Sequence, residues 1–305
     1  MKIVSTTPRT NQNIDNFVEL IHDSKYEFVE VFPKKQHFKS NEMRKILSDC
    51  FIAIVGDDEV DLNAIEDAKY LTHIIKWGSG TDSIDFEAVK KHKINVQNTP
   101  GILGKYVAEY VLGIIISTNR NLFEYSNTFK QKQMWNKTPG ISLFGKKVGL
   151  FGYGNIGREI SKLLKPFDCE VYFYDPYVEP CHDSKKIELL ELYEISDILI
   201  ISANLNLENY QIINKQSIDK LKNNCLLINI SRGQLLNEKD IFEAIKMKQL
   251  NSVFLDVFDV EPPNLDDYYL DDNKINFSQH NASNSNDAIE EVNLEIIEII
   301  KGLIK

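Results

Sequence analysis

The sequence is poor in cysteine, and it has no long apolar stretch and no cluster of basic residues. Its four cysteines among 305 residues form no C-x-x-C pair. We therefore expect unpaired structural thiols and no metal. The longest strongly apolar run, about Tyr110 to Ile116, is far shorter than the ~20 residues of a membrane helix. The N-terminus turns polar at Ser5, before it reaches signal-peptide length. These absences predict a cytoplasmic protein that does not bind a membrane.

The charge of the chain also limits its partners. The sequence has 35 Lys and Arg against 45 Asp and Glu, a formal net charge of −10. A protein that binds the phosphate backbone of nucleic acid needs a basic patch, which this sequence lacks, so we expect no nucleic acid. A small molecule is the expected partner. At ~150 residues per domain, the length suggests two domains, each able to bury its own core.

Strand-like segments alternate with helical patterns along the chain. One helix is predicted over Asn13–His22 and a longer one from about Gly104 to Phe129. Strands that alternate with helices pair in parallel through right-handed crossovers. The predicted fold class is therefore α/β, with two Rossmann-like doubly wound parallel-sheet domains. The strands predicted for the first sheet are Lys2–Ser5, Glu27–Val31, Phe51–Val55, Leu71–Trp77 and Ile94–Gln97; those for the second are Val148–Phe151, Glu170–Tyr174, Ile198–Ser202, Leu226–Ile230, Val253–Val257 and Ile275–Ser278.

The C-terminal segment is predicted to be an amphipathic helix. Its apolar residues follow one another at spacings of three and four, so they share one face that must dock on another element. The first domain is the simplest partner, which would make that domain discontinuous. The residues of the face are Ile289, Val292, Ile296, Ile299 and Leu303.

A dinucleotide-binding motif opens the second set of strands. Residues 152 to 157 read G-x-G-x-x-G between a strand and a helix. Gly152 allows the tight turn, Gly154 lets the backbone approach a pyrophosphate, and Gly157 lets helix and strand pack closely. The helix N-terminus offers N–H groups and a positive dipole end to the phosphates. The apolar face predicted for this helix is Ile156, Ile160, Leu163, Leu164 and Phe167.

An acidic residue ends the next strand. Asp175 stands 18 residues after Gly157, where a carboxylate is expected to bind the adenosine ribose hydroxyls and to repel a 2′-phosphate. The motif and this acid together predict NAD rather than NADP. The alternative is that Asp175 only caps a loop beside Pro176.

Three later strands are each followed by a candidate catalytic residue: Arg232, Glu261 and His280. Ligands bind at the carboxyl ends of parallel strands. A planar Arg can hold a carboxylate by two hydrogen bonds, a His can exchange a proton with a carbonyl oxygen, and a Glu can orient that His. Taken singly, the Arg could be a surface ion pair, the Glu a solvated loop residue and the His structural. Together they indicate reversible oxidation of a 2-hydroxy acid.

The order of these motifs resembles the D-isomer-specific 2-hydroxyacid dehydrogenase family, phosphoglycerate dehydrogenases among them. The motifs are G-x-G-x-x-G, the strand-end Asp, N-x-[SA]-R-G, D-V-F-x-x-E-P-P and H-x-A. The resemblance implies that Arg232 binds the carboxylate and keto oxygen of the substrate, that His280 is the acid/base, and that Glu261 is its partner. It also implies that backbone N–H groups at Ser79 and Gly80 hold the substrate carboxylate.

The same resemblance implies the cofactor contacts. It places Asn155 and Ile156 on the pyrophosphate, Asp175 on the ribose, Ile230 and Ser231 near the nicotinamide, and Asp256 on the carboxamide. Ala203 belongs to the same cofactor site, in a segment that reads Ser-Ala-Asn where many members read H-x-P. The implied domains are a substrate-binding domain over 1–97, completed by 281–305, and an NAD-binding domain over 98–280. A homodimer is the implied assembly.

Several alternatives stay open at this point. The substrate could be 3-phosphoglycerate, slightly favoured because Lys76 stands beside the carboxylate loop, or glyoxylate or hydroxypyruvate. A formate or phosphite dehydrogenase is a second enzymatic interpretation, although Glu261 counts against formate, whose enzymes pair the His with Gln. A catalytically idle NAD(H)-sensing or scaffold protein of the same fold is the alternative from another class. Turnover of NADH with 2-keto acids distinguishes it from an enzyme.

Overall fold

The chain forms two compact units, as seen in a computed structural model that describes residues 1–22, 24–132, 137, 139–264 and 274–304. Unit 1 comprises Met1–Leu103 and Asn284–Lys305, and unit 2 comprises Gly104–Ser283. The predicted domain boundaries, after residues 97 and 280, lie a few residues before those of the units. Each unit contains a parallel sheet, and the predicted α/β fold class is confirmed.

Unit 1 is built on a five-stranded sheet in the order β2-β1-β3-β4-β5. All neighbouring strands are parallel. The strand order reverses between β1 and β3, because the chain adds β2 on one side of β1 before it crosses to the other side. The strands are β1 (Lys2–Ser5), β2 (Glu27–Glu30), β3 (Cys50–Val55), β4 (His73–Lys76) and β5 (Asn95–Asn98); the helices are α1 (Ile14–Ile21), α2 (Ser40–Leu47), α3 (Leu62–Ile65) and α4 (Phe86–Lys91).

The C-terminal helix, Asn286–Ile304, belongs to unit 1. It packs against α1 and against the 3-10 turn Pro8–Asn13, as its apolar face predicts. Val292 and Ile296 of the predicted face are buried, whereas Ile289, Ile299 and Leu303 are half-buried and the unpredicted Ile300 is buried instead. Burial of each such side chain stabilises a fold by about 1.5 to 3 kcal/mol, so these side chains hold the helix in unit 1.

Unit 2 is built on a seven-stranded parallel sheet in the order β12-β11-β10-β9-β6-β7-β8. The six strands predicted for it are present, with ends that differ by up to two residues. The seventh is the two-residue edge strand β8, which sequence patterns did not predict. The strands are β6 (Lys147–Phe151), β7 (Glu170–Tyr174), β8 (Lys185–Lys186), β9 (Ile198–Ile201), β10 (Leu226–Asn229), β11 (Ser252–Leu255) and β12 (Ile275–Phe277).

The helices of unit 2 differ from the prediction in two places. The stretch from Gly104 to Phe129 is divided between α5 (Gly104–Asn119) and α6 (Leu122–Lys132), because Asn121 adopts a left-handed backbone with φ 53°. In α7 (Asn155–Leu164), the predicted face was wrong at Leu163, which is 37% exposed, whereas Ser161 is buried. Phe167, also predicted for this face, lies beyond the helix in the 3-10 turn Lys165–Phe167. The remaining helices are α8 (Leu189–Ile195), α9 (Lys215–Ile218) and α10 (Glu238–Lys246).

The four cysteines are unpaired, as predicted. Cys50 and Cys225 are buried, and burial raises the pKa of each thiol to about 12. Cys169 and Cys181 are half-buried. No helix among the residues that the structure describes has both the length and the apolar character needed to cross a membrane.

Candidate active site

The G-x-G-x-x-G segment forms a tight turn between β6 and α7. Gly152 has φ +100°, and a Cβ there would lie 2.5 Å from the backbone nitrogen of Ala203. A Cβ on Gly157 would lie 2.6 Å from the carbonyl oxygen of Gly152. Gly154 is the N-cap of α7, and a Cβ on it would meet nothing within 4 Å. The first turn of α7, with Asn155 and Ile156, therefore begins beside open space where a pyrophosphate fits.

Asp175 fixes the same turn from the end of β7. Its Oδ2 accepts a hydrogen bond from the N–H of Tyr153 at 2.9 Å, and its Oδ1 accepts one from the N–H of Tyr177 at 2.9 Å. The half-buried carboxylate thus lies directly beside the glycine turn, as the spacing to Gly157 predicted. This geometry suits a ribose of a dinucleotide whose pyrophosphate lies on α7.

Sequence reasoning missed Tyr153 as a support of this turn. Its side chain is buried and stacks on Phe173, with ring centroids 4.0 Å apart. Its hydroxyl donates to Oγ of Ser184 at 2.9 Å, and that Oγ lies 2.7 Å from Oγ of Ser161. An aromatic residue between two motif glycines was the available signal. Ser184 could not be found in this way, because it is 31 residues distant in the chain.

Arg232 follows β10 in a turn that buried polar groups hold in place. Asn229 is fully buried, its Oδ1 accepts from the N–H of Ser231 at 3.1 Å, and its Nδ2 donates to the carbonyl of Arg232 at 2.8 Å. Nη1 of Arg232 donates to the carbonyl of Ser231 at 2.8 Å. Oγ of Ser231 donates to the carbonyl of Ala203 at 2.5 Å, and Ile230, which precedes Ser231, is buried. The structure thus brings together Ala203, Ile230 and Ser231 at the carboxyl ends of β9 and β10.

His280 and Glu261 form a pair. Nδ1 of His280 lies 2.9 Å from Oε2 of Glu261, and their side chains are 23% and 19% exposed. The other oxygen of Glu261 accepts from the N–H of Phe258 at 3.1 Å, which fixes the carboxylate. His280 itself has a left-handed backbone with φ 51°. A carboxylate in this position orients an imidazole through its ring nitrogen.

Asp256 holds the segment that carries His280. The side chain is fully buried, and its Oδ1 accepts from the hydroxyl of Ser278 at 2.5 Å and from the N–H of Asn281 at 2.8 Å. Its Oδ2 accepts from the N–H of Ala282 at 3.0 Å, and its backbone carbonyl accepts from the N–H of His280 at 2.7 Å. The left-handed turn at His280 is therefore anchored on both sides by one residue. The carboxamide contact implied for Asp256 stays a prediction.

The carboxylate loop predicted at Ser79 and Gly80 belongs to unit 1. The loop is tied to the end of β5, since Nδ2 of Asn98 donates to the carbonyl of Ser79 at 2.9 Å. Lys76, which precedes it, is 4% exposed, and its Nζ lies 3.1 Å from Oδ1 of Asp57. Its charge is therefore already paired with an acid.

Comparisons with known proteins agree with these motifs. The family model for "D-isomer specific 2-hydroxyacid dehydrogenase, NAD binding domain" matches residues 112–282. The hydroxypyruvate reductase of Thermotoga maritima is 32% identical over 233 residues, which cover 75% of this chain and 76% of that protein. The D-3-phosphoglycerate dehydrogenase of Methanocaldococcus jannaschii is 30% identical over 274 residues, 88% of this chain but 52% of that longer protein.

Solved structures show the same fold. A glyoxylate reductase from Paecilomyes thermophila matches with a TM-score of 0.88 at 20% identity, over 100% of this chain and 95% of that one. The D-lactate dehydrogenase of Aquifex aeolicus, complexed with NAD and lactic acid, matches with a TM-score of 0.87 at 19% identity, over 100% and 95%. The predicted family, reaction class and NAD cofactor are confirmed. The chain belongs to the D-isomer specific 2-hydroxyacid dehydrogenases, which are NAD-dependent oxidoreductases.

Proposed function

We propose that Arg232, Glu261 and His280 carry the chemistry of this enzyme, with a short 2-keto acid as the substrate for reduction. The observation that carries the proposal is the contact of 2.9 Å between Nδ1 of His280 and Oε2 of Glu261. Arg232, Glu261 and His280 follow β10, β11 and β12, which are neighbours in one parallel sheet. Ligands bind at this edge of such sheets, so the three residues are suited to act on one ligand.

His280 is the proton donor in the reductive direction. With Nδ1 engaged by Glu261, Nε2 is the nitrogen that gives its proton to the keto oxygen and takes it back from the hydroxyl in oxidation. Glu261 stabilises the positive charge on the imidazole before the proton leaves. Arg232 holds the substrate carboxylate with its planar guanidinium, which suits two parallel hydrogen bonds. Ser79 and Gly80 are proposed as additional carboxylate donors.

The cofactor residues of the family fit this chain. Gly154, Asn155 and Ile156 would hold the pyrophosphate at the start of α7, and Asp175 would bind the ribose hydroxyls. Ala203, Ile230, Ser231 and Asp256 are proposed for the nicotinamide end. NADH, when bound, supplies the hydride. The protein orients the acid and the substrate, which is where most of its contribution to the rate arises.

A short 2-keto acid without a phosphate is the proposed substrate class, with glyoxylate and hydroxypyruvate as the first candidates. Lys76 was the residue that favoured a phosphorylated substrate. Its ammonium group is buried and contacts Asp57 at 3.1 Å and the carbonyl of Trp77 at 3.2 Å. A cation neutralised in this way offers a distal phosphate little net attraction. The carboxylate of Asp57 would also repel a second anion.

Steady-state oxidation of NADH with a panel of 2-keto acids tests this proposal. We expect the highest kcat/KM with glyoxylate or hydroxypyruvate and a lower value with 3-phosphohydroxypyruvate. A higher value with the phosphorylated acid would overturn the substrate assignment. Lack of turnover with every acid, together with tight NADH binding, would instead support the idle sensor or scaffold.

A homodimer is proposed on the family resemblance alone, and a cytoplasmic location on the features of the sequence given above. Sedimentation equilibrium of the purified chain tests the first, and a monomer at micromolar concentration would contradict it. Cell fractionation with an antibody against the chain tests the second.

A further inference from the structure

Unit 1 contains an open cavity at its surface that the proposed chemistry does not use. Its volume is about 410 Å³, within the range of small-molecule sites. Among the described residues that line it, two are cationic and none is acidic. The lining residues are Pro8, Arg9, Gln12, Pro33, Lys35, Gln36, Asn284 and Ile289.

The cavity is lined in part by residues that follow β1 and β2, at the carboxyl end of the first sheet. Arg9 follows β1, and the order of the five strands reverses between β1 and β3. Crevices at such reversals, outside the carboxyl ends of the strands, are the usual ligand sites of open α/β sheets. Unit 1 therefore has a reversal point of its own, separate from the one that serves the dinucleotide motif in unit 2.

Arg9 is held rigidly at this point. Its guanidinium lies over the ring of Trp77, 4.6 Å from the ring centroid. The side chain of Asn293 is fully buried and donates to the backbone carbonyl of Arg9 at 2.9 Å, while its Oδ1 accepts from Nε1 of Trp77 at 3.0 Å. The side-chain amide of Asn293 thus fixes both the Trp77 ring under the guanidinium and the backbone of Arg9. A preorganised cation loses little entropy when it binds a ligand.

The charge of Arg9 is only weakly satisfied within the protein. Among the described contacts its guanidinium makes one long hydrogen bond, from Nε to Oδ1 of Asn284 at 3.5 Å. Asp57 attracts it at longer range, but that carboxylate is also paired with Lys76. Burial lowers the pKa of the guanidinium, so its positive charge is partly desolvated. A partly desolvated cation with unused N–H donors, in a cavity whose described lining residues include no acid, favours an anion.

We propose that this cavity binds the carboxylate or phosphate group of a small organic acid, with Arg9 as the principal ligand and Lys35 as the second cation. The anionic group could belong to the far end of an acidic substrate or to a separate small acid, and the chemistry of recognition is the same for both. The site is independent of the roles proposed for Arg232, Glu261 and His280.

The fluorescence of Trp77 provides a direct measurement, because Arg9 lies over its ring. The sequence has two tryptophans, so Trp135→Phe leaves Trp77 as the only one. In that background, inorganic phosphate and malonate are titrated to about 50 mM at constant ionic strength, a range that detects millimolar affinity. We expect a saturable change with at least one of them. Arg9→Gln should weaken the binding on the order of 10- to 100-fold, the value of a charge-assisted hydrogen bond, and Lys35→Gln should weaken it less.

Lys34→Gln is the matched control, since Lys34 is an exposed neighbour that does not line the cavity. Arg232→Lys should bind the probes unchanged, which separates this site from the proposed catalytic one. A response that chloride reproduces, one that Arg9→Gln leaves in place, or the lack of a saturable response would overturn the proposal.

A second arm identifies the source of the anionic group. If Arg9→Gln lowers kcat/KM for 3-phosphohydroxypyruvate but not for hydroxypyruvate, the anion is the far end of a substrate. If both values are unchanged while probe binding is lost, the ligand is a separate acid. A loss of probe binding in Arg9→Gln supports the site in either case.

Discussion

The imidazole Nδ1 of His280 and the carboxylate Oε2 of Glu261 are 2.9 Å apart, although 18 residues lie between them in the chain. Two anchors hold this pair. The N–H of Phe258 donates to the second oxygen of Glu261, and the carbonyl of Asp256 accepts from the N–H of His280. Because both anchors are in the segment that follows β11, the acid and the imidazole are positioned by the same turn.

The first prediction concerns this pair. Glu261→Gln keeps the shape of the side chain but removes the charge that favours protonated imidazole. Keto-acid reduction needs that proton, so the fall in rate with rising pH should move to lower pH. The rise in the rate of hydroxy-acid oxidation should move in the same direction. The measurement is kcat against pH in both directions, with the exposed Glu243→Gln as the control for loss of a charge.

A double-mutant cycle tests whether the two residues act as one unit. His280→Ala should lower kcat on the order of 10²- to 10⁴-fold, the usual contribution of a positioned acid/base. In its background, Glu261→Gln should have little further effect, because the residue acts through the imidazole. Multiplicative losses would show that Glu261 acts separately.

The second prediction is that Arg232→Lys raises KM for the keto acid and lowers kcat, with NADH affinity and Tm nearly unchanged. A lysine is a point charge and cannot make two parallel hydrogen bonds to a carboxylate. The control is Arg44→Lys, at a surface ion pair with Asp67 in unit 1. Activity within a few-fold of the wild type would rule out Arg232 as the carboxylate anchor.

The third prediction concerns the choice between NADH and NADPH. Asp175 lies beside the glycine turn, and its charge would repel a 2′-phosphate. We expect kcat/KM to be at least about 10-fold higher with NADH, since 1.4 kcal/mol of repulsion gives that factor. Asp175→Asn should reduce the preference, whereas Glu179→Gln, at an exposed site in the following loop, should not. Equal use of both cofactors by the wild type would contradict the role of Asp175.

Sequence patterns correctly predicted the position of features that depend on residues close together in the chain. The glycine turn and Asp175 are separated by one helix and one strand, so their spacing in the sequence fixes their proximity. The turn at Arg232 is also determined locally, because the buried side chain of Asn229 forms hydrogen bonds with the backbone of residues only two and three positions away.

Features that depend on distant contacts were not predictable. The anchoring role of Asp256 arises from residues 22 to 26 positions further along the chain, and no local pattern encodes it. The edge strand Lys185–Lys186 has no apolar residues, so it lacks a strand signal. Ser161 is buried in place of Leu163 because it lies beside Ser184, a contact invisible in the helical periodicity.

The fourth prediction is that only two of the four thiols react readily in the folded protein. Burial raises the pKa of Cys50 and of Cys225 to about 12, so neither is a thiolate at pH 8. Titration with an aromatic disulfide reagent at pH 8 should modify the half-buried Cys181 first and then Cys169, which is also half-buried and whose pKa is raised by burial. Cys50 and Cys225 should react only after unfolding in denaturant. Fast modification of four thiols in the native state would contradict the burial.

The fifth prediction concerns Gly233, which follows Arg232. A Cβ at this position would overlap the carbonyl of Phe258 and the nitrogen of Asp259. Both are backbone groups, and their displacement would distort the segment and raise the free energy of the folded state. Gly233→Ala should therefore lower the free energy of unfolding by more than about 2 kcal/mol, as overpacking of a closed site does. It should also lower kcat, since the strained segment leads directly to Glu261.

Gly113→Ala is the matched control for this substitution. Gly113 is exposed within α5, and a Cβ there would meet nothing within 4 Å. Its replacement should raise the free energy of unfolding by up to about 1 kcal/mol, because alanine favours the helix, and should leave kcat unchanged. Urea denaturation at one protein concentration measures both variants. Since the two substitutions add the same methyl group, opposite signs would show that close backbone contact, not the loss of glycine itself, fixes the segment between Arg232 and Glu261. Equal stabilities for the two variants would contradict that contact.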